Sequence, residues 1–513
     1  METKVIIQKN SYHDSVALMS LSGKINQLAG VEEAVVSMGT VMNKELLGNV
    51  GMLTDEAAAS TENDLILAVR GESEEVLEEA FRLIEEQFSS QKGKKKKGET
   101  QIHTWGAAIQ NLPDANLTIL SVPGEYAARE AGKALAQNMN VMIFSDNVSL
   151  EDEKKLKDLA AQKGLFVMGP DCGTAIINGV GLCFANNVRR GSIGLVAASG
   201  TGLQEVTVQI HRLGFGISQA IGTGGRDLHD TIGGTMMLEG IRALQADVDT
   251  EVIVLVSKPP QPSVQRKILA ELKDSPKPVI ICFLDGDSAE IEKAGIQAAP
   301  TLLDAARMAV ERLASKDAAD KPTRFSELLE EADRQKAKLH PKQKEIRGLF
   351  CGGTLTAEAL SILRKEGLAL KSNVAKKAEE KLDSVSKSVG NTLLDLGDDE
   401  FTLGKPHPMI EPSLRNGRIL QEAADPATAV LYLDFELGYG AHADPVGVSI
   451  EFIREAKRLA EKEGRFLPVV AYICGTDLDK QDITAQTRML TEAGVLVADS
   501  NKEAALLAAR LIK

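Results

Sequence analysis

Residues 192–202 read SIGLVAASGTG, an apolar run that ends in Ser-Gly-Thr-Gly and passes directly into LQEVTVQIHRLG. A short apolar strand, a glycine turn and an amphipathic stretch, in that order, make a strand–turn–helix unit. The same arrangement recurs on both sides of it. LTILSVPG (117–124) leads into YAAREAGKALAQ, and VMIFSDN (141–147) into SLEDEKKLKDLAAQKG; ISQAIGTGG (217–225), EVIVLVSKPP (251–260) and PVIICFLDG (278–286) follow. Strands that are apolar throughout and alternate with helices predict parallel sheets covered on both faces. RGLFCGGT (347–354) opens a further series that runs through NTLLDLG, AVLYLDFELGYG and PVVAYICGT to GVLVADS near the end. Its strand, glycine turn and helix repeat the layout of 192–202, a weak internal repeat.

Outside these units the pattern changes. KVIIQK (4–9), a helical stretch over 11–28, VEEAVVSMG (31–39), DLILAVRG (64–71) and SEEVLEEAFRLIEEQF (73–88) predict a small α+β domain over residues 1–91. KGKKKKGE (92–99) reads either as an anion-binding patch or as a solvated linker; flanking glycine and the lack of aromatics favour the linker. The α/β units fall at 99–190, 191–315 and 346–513, and the charged stretch 316–345 reads as a helical connector.

Composition narrows the function classes. The 513 residues ask for several domains, and 43% apolar with 26% charged residues is ordinary globular usage. A net charge of −14 opposes nucleic-acid binding, whereas a local site for an anionic small molecule remains compatible with it. No apolar run has the length of a membrane span, and METKVIIQKN lacks the blocks of a signal peptide. Five scattered cysteines without a CxxC pair read as reduced thiols, so a cytoplasmic location is expected. The seven histidines form no cluster, and no metal site is expected.

Two turns have the form of an anion cradle. Ser199 or Thr201 offers a cap, while Gly200 and Gly202 let an anion approach the backbone; Gly352, Gly353 and Thr354 do the same at the second turn. Glycine and hydroxyl residues also suit any strand-to-helix turn, so each turn alone says little. In GTGGRDL (222–228), beside Gly224 and Gly225, Arg226 reads as a carboxylate or phosphate clamp or as half of an exposed ion pair with Asp227. GPDCG (169–173) offers Asp171 at a strand end, Cys172 as a nucleophile or a buried thiol, and Gly173. In GKPHPMIEP (404–412) two prolines frame His407, with Lys405 beside it, as an acid/base, an anion contact or a rigid surface turn. DFELGYGAHADP (434–445) adds Glu436, His442 and Asp444.

GPDCG, SIGLVAASGTG and GFGISQAIGTGG resemble the α subunit of succinyl-CoA synthetase, and the last third resembles the CoA-ligase domain of its β subunit. With the N-terminal α+β unit and GKPHPMIEP, the whole chain resembles the FdrA family of acyl-CoA-synthetase-like proteins. The resemblance implies tandem Rossmann- and flavodoxin-like domains: a CoA-binding-like unit at 99–190, a synthetase-like unit at 191–315 and a CoA-ligase-like unit at 346–513. In the synthetases two helix N-termini face a phosphorylated histidine, which follows the strand matching PVIICFLDG. Here DSAEIEKAGIQAAPT follows, without histidine, and no ATP-grasp domain is present.

A cradle without the histidine relay suits a ready-made acyl phosphate. FdrA-type proteins are associated with purine-ureide breakdown, some as subunits of an oxamate carbamoyltransferase. The resemblance therefore implies a carbamoyl-phosphate-using transferase that interconverts carbamoyl phosphate plus oxamate with oxalurate plus phosphate. Phosphate is expected at 199–202 and 352–354, with Arg226, Lys405 and His407 toward the reacting groups and Asp171–Gly173, Gly224 and Gly225 lining the substrate. The alternatives are an acyl-CoA synthetase subunit that binds CoA and works with an ATP-grasp partner, and a non-catalytic scaffold. Co-encoded subunits and a homo-oligomer are the expected partners.

Overall fold

The structure is a computed structural model that describes residues 2–11, 13, 15–26, 28–92, 102, 104–314, 324–402 and 406–513. The basic stretch 93–99 and Lys405 lie outside the described residues. The chain forms two compact units, Met1–Leu112 with Asp399–Ser413, and Pro113–Asp398 with Leu414–Lys513.

In the first unit β1 (Glu2–Gln8), β2 (Val31–Met38) and β3 (Leu65–Gly71) form an antiparallel sheet in the order β1-β3-β2. Strand alternation divides β3: Leu65, Leu67 and Val69 face helices Ser15–Asn26 and Glu74–Lys92, while Ile66 and Ala68 join Leu47 and Ala57 on the other side. The expected small α+β domain is therefore present, with strands close to the predicted ranges.

The second unit holds three sheets. β4 (Leu117–Leu120), β5 (Asn140–Ile143) and β6 (Val167–Met168) form a short parallel sheet. The second sheet comprises β7 (Thr174–Ile177), β8 (Val180–Cys183), β9 (Arg190–Ala198), β10 (Ile217–Gly222), β11 (Val252–Ser257), β12 (Val279–Phe283) and β13 (Gln297–Ala298). Its order is β13-β12-β11-β9-β10-β7-β8. The third, wholly parallel, comprises β14 (Glu345–Phe350), β15 (Leu370–Ser372), β16 (Asn391–Asp395), β17 (Thr428–Glu436), β18 (Val469–Cys474) and β19 (Leu496–Ala498), in the order β15-β16-β14-β17-β18-β19. The predicted tandem parallel-sheet architecture holds.

One element departs from the sequence reading. Residues 174–183, for which the sequence pattern gave no strand, are the antiparallel hairpin β7–β8, which adds an antiparallel edge to the second sheet. Asn178 and Gly179 take φ of 50° and 81°, as a two-residue hairpin turn requires. The signal was legible as Asn-Gly between TAII and VGLC.

The second and third sheets share one apolar core. Leu195, Val254 and Ala306 belong to the same cluster as Phe350, Tyr432 and Leu507. Among the described residues no helix is long and apolar enough to cross a membrane.

A buried charge network ties helix Leu150–Lys163 to the loop after β10. Lys157 Nζ donates to Glu153 Oε1 (2.8 Å), Asp227 Oδ1 (2.9 Å) and the Thr223 carbonyl (2.9 Å), and all three charged side chains are inaccessible to solvent. Removing one member leaves uncompensated buried charge. Lys157→Met is expected to lower unfolding stability by about 3–5 kcal/mol, read from urea midpoints against Lys155→Met on the exposed face. Equal midpoints for the two variants would contradict the network's importance.

Candidate functional site

β9 and β14 each end in glycine-rich turns that begin a helix, Gly200–Arg212 and Gly353–Lys365. At the first, Ser199 is the N-cap and its Oγ accepts from Gly202 N at 3.0 Å. At the second the cap is Gly352, which has no side chain, so Asp434 from the end of β17 supplies the acceptors: its carboxylate takes Cys351 N at 2.7 Å and Gly352 N at 2.9 Å. The two helix starts meet. Ser199 Oγ lies 2.6 Å from Thr354 Oγ1, and Thr354 N donates to Thr201 Oγ1 at 3.3 Å. Close approach explains two of the glycines: a Cβ at Gly202 would stand 3.0 Å from Thr354 Cγ2, and one at Gly352 3.0 Å from Thr201 Cγ2.

Topology makes this meeting a candidate site. In the second sheet the chain leaves β9 toward β10 on one side and leaves β11 toward β12 on the other; in the third it leaves β14 toward β15 and β17 toward β18. Each pair, β9/β11 and β14/β17, brackets the point where strand order reverses, and open α/β sheets bind ligands at the carboxyl ends of strands there. Ser199 and Thr354 stand at the two reversal points, each at the positive end of a helix.

Three further groups gather there. Lys258, directly after β11, places Nζ 3.8 Å from where a Gly353 Cβ would be; Asp395, at the end of β16, would collide with that Cβ. Burial raises the Asp395 carboxyl to about 7 against the opposing pull of Lys258. Glu436, at the end of β17, is 3% exposed with Oε1 unpartnered among the described residues, and would stand 3.1 Å from a Gly352 Cβ. Burial, then the neighbouring Asp434, holds its proton on well above the ordinary glutamate range. The arrangement joins backbone dipoles, two hydroxyls, a lysine and an acid that titrates near neutrality, a set suited to holding a phosphoryl group and exchanging a proton beside it.

Behind the turns two buried glutamates brace the domains reciprocally. Glu205, on helix Gly200–Arg212, accepts from the backbone of Asn501, the first residue of helix Asn501–Ile512 in the third sheet's layer, and from Tyr472 Oη. Glu358, on helix Gly353–Lys365, accepts from Leu302 N (2.7 Å), the first residue of helix Leu302–Leu313 in the second sheet's layer, and from Asn501 Nδ2 (2.8 Å). Each follows its turn threonine by four residues, Thr201 and Thr354, so the internal repeat extends to this brace.

The other sequence candidates divide. The GPDCG and GTGG loops come together: Gly222 and Gly224 approach Cys172 Sγ and the Pro170 carbonyl too closely for a Cβ, and a Gly225 Cβ would lie 3.8 Å from Asp171 Oδ2. The Gly173 carbonyl accepts from Phe184 N at 2.8 Å. Cys172 is 3% exposed and burial pushes its thiol up to about 12, which suits the buried-thiol reading. Arg226 is neither free nor in a surface pair with Asp227; it pairs with buried Glu153 at 2.9 Å and donates to the Val148 carbonyl at 2.7 Å, while Asp227 is fully buried on Lys157 and the N–H of Met237. His407 belongs to the first unit, where its Nδ1 accepts from Met409 N (3.2 Å) and burial lowers its imidazole to about 4. His442 accepts from Asp444 N, and Asp444 from Gly447 N, within the loop after β17.

Lys258 and Asp395 were missed because nothing local marks them. Their only signal was position, at or just beyond the carboxyl end of a parallel strand.

Cys351, Asp434 and Glu436 converge closely enough to bind a cation. Arg415, however, donates to Cys351 Sγ (3.0 Å) and stands 3.6 Å from Asp434 Oδ1, and Asp434 is engaged by two N–H groups. A guanidinium thus already balances the cluster.

Glu358 provides a test of the brace. Burial, then Glu205, raises its carboxyl from 4.5 to about 7. The folded state therefore holds this proton more tightly than the unfolded chain, so the contribution is present below pH 4.5 and lost as pH rises through 7, on the order of 3 kcal/mol. Glu358→Gln is expected to flatten the fall in stability between these pH values. Denaturation midpoints across the range check it; an unchanged slope contradicts the assignment.

Three family models match the chain: the AllF heavy metal-associated domain over residues 1–104, the CoA binding domain over 188–285, and CoA-ligase over 349–511. The CoA binding domain match spans β9 to β12 of the second sheet, whereas the sequence reading expected that likeness over 99–190. Residues 1–104 contain no cysteine. Protein YahF of Escherichia coli (strain K12) is 48% identical over 514 residues, covering 100% of this chain and 99% of its own. Succinate–CoA ligase [ADP-forming] subunit alpha 2 of Archaeoglobus fulgidus is 29% identical over 28% of this chain and 50% of its own. The alpha subunit of Methanothermobacter thermautotrophicus is 26% identical over 34% and 59%. The chain therefore spans only about half the length of these ligase subunits, but matches YahF from end to end. It belongs to the YahF family of FdrA-type, acyl-CoA-synthetase-like proteins, with a succinyl-CoA-synthetase-type fold.

Proposed function

We propose that this chain is the acyl-transfer subunit of an NDP-forming acyl-CoA synthetase, holding the phosphate of an acyl phosphate between the turns 199–202 and 352–354. The observation that carries the reading is the 2.6 Å contact between Ser199 and Thr354, 155 residues apart, at two strand-order reversals. The likeness to succinate–CoA ligase subunits and to CoA-ligase supports the acid–thiol chemistry. In the thioester-forming step the CoA sulfur attacks the acyl carbon, the carbon–oxygen bond to phosphate breaks, and the thiol proton passes to a base. Asp395 is the base we assign. The helix dipoles, the hydroxyls of Ser199 and Thr354 and the Lys258 ammonium stabilise the departing phosphate. A partner subunit with a nucleotide-binding domain supplies the acyl phosphate.

A second reading, a carbamoyltransferase that passes a carbamoyl group from carbamoyl phosphate to oxamate, rests on one observation: residues 287–301 contain no histidine to relay a phosphoryl group from nucleotide. It uses the same cradle, with the oxamate nitrogen in place of sulfur.

Parallel assays of the purified chain, with and without co-encoded partners, distinguish the two: thioester formation from succinyl phosphate plus CoA, and phosphate release from carbamoyl phosphate plus oxamate. In whichever assay is active, Ser199→Ala and Thr354→Ala are expected to lower kcat by about 100-fold or more. Activity is expected to rise with pH through about 7 as Asp395 loses its proton, and Asp395→Asn to abolish that limb. Unchanged rates in both hydroxyl variants, or no activity with any partner set, overturn the proposal.

A further inference from the structure

A cleft of about 610 Å³ opens at the carboxyl ends of β18 and β19, at the opposite end of helix Gly200–Arg212 from Ser199. Thirteen residues of helix separate the two places, about 20 Å at 1.5 Å per residue. Four arginines line the cleft: Arg212, Arg307, Arg324 and Arg488. They come from four separate segments, so the cluster exists only in the folded chain.

Their bonding is uneven. Arg212 is fully engaged, donating to the carbonyls of Ile473 (2.8 Å), Gly475 (2.9 Å) and Asp499 (2.7 Å) and lying over the Tyr472 ring. The guanidinium groups of Arg307, Arg324 and Arg488 have no acceptor among the described residues, and the Arg307 Nε is shut away from solvent. Elsewhere in this unit buried Arg347 pairs with Glu422 and Asp425, buried Arg418 with Glu422 and half-buried Arg364 with Asp285 and Glu380, whereas of the three cleft arginines Arg307 is half-buried and Arg324 and Arg488 are exposed. Two carboxylates also line the cleft. Glu503 is buried and accepts from Asp499 N, and Asp499 stands beside it, so among the described residues four positive charges face two negative ones.

The opposite wall adds hydroxyls. Helix Ile483–Glu492 presents Thr484, Thr487, Arg488 and Thr491 to the cleft, a stripe at i, i+3, i+4 and i+7. Leu303, Ile483 and Val497 supply apolar surface between the two polar walls. In a chain of net charge −14, an excess of unpaired guanidinium forks with hydroxyl donors along an open cleft is a local reversal of the field. Planar guanidinium forks match phosphate oxygens bidentately, and the volume falls in the range of small-molecule sites.

We propose that this cleft is a second binding site, distinct from the paired turns, for a phosphorylated small molecule carrying at least two negative charges. Arg307 and Arg488 grip the phosphates, Thr484 and Thr487 donate to them, and the apolar strip receives the organic part. Arg212, held by three carbonyls, sets the floor of the cleft and links it to the helix that begins at Ser199.

Isothermal titration of the full chain with pyrophosphate, ADP and citrate tests the site. Saturable binding of pyrophosphate or ADP, at least about tenfold tighter than citrate, is expected, with ADP the tighter of the two phosphates because it fills the apolar strip. Arg307→Ala and Arg488→Ala are each expected to weaken binding about tenfold or more, Arg488→Lys by less, and Ser199→Ala not at all. Arg488 is solvent-exposed, so its variants keep the fold even where Arg307→Ala does not. No saturable binding of either phosphate, affinity unchanged in both Arg488 variants, or equal affinity for citrate overturns the proposal. Loss of binding in Ser199→Ala also overturns it, because the phosphate would then sit at the paired turns.

Discussion

Two helices in this protein begin at the same place. Each brings the unbonded N–H groups and the positive end of its dipole to a point where Ser199 Oγ and Thr354 Oγ1 are 2.6 Å apart. Like ends of helices repel, and the surroundings meet the exposed N–H groups with hydrogen-bond acceptors. Asp434 takes two N–H groups of the second turn, Asp395 and Glu436 crowd its glycines, and Thr201 accepts the N–H of Thr354. The glycines follow from the same constraint, since a side chain at 202 or 352 would hold the helices apart.

The constraint propagates outward through buried charge. Glu205 and Glu358 lie one helical turn behind the junction, and each engages the first residue of a helix belonging to the other sheet's layer. The braces are reciprocal, so the two layers cannot separate without exposing an unbonded helix start and a desolvated carboxyl on each side. A continuous apolar core beneath them makes the same demand. The junction is thus kept in register by buried groups that lie behind it.

Much of the fold was legible from residues 192–202 and 347–354, because an apolar strand followed by a glycine turn and a helix admits few alternatives. The hairpin at 174–183 went unread, although Asn178-Gly179 between two apolar runs carried the signal. The candidate site was half legible. Ser199 and Thr354 announce themselves by their turns, but Lys258 and Asp395 are single polar residues at strand ends, and no local pattern separates them from caps or surface turns. Arg226 shows the converse: its flanking glycines suggested a ligand clamp, yet Glu153, some seventy residues earlier, claims it through a pair that no spacing reveals.

By itself the sequence determined the layered α/β architecture, the separate antiparallel unit at the start and the two anion-type turns, because strand and helix periods and glycine turns are local properties. Only the tertiary structure decided that the two turns face one another, that Asp395 is raised to about 7 beside Lys258, and that three arginines from distant segments share one cleft without partners. Those facts depend on burial and on which strands lie adjacent. Both are set by the packing of whole sheets, and a linear pattern does not encode them position by position.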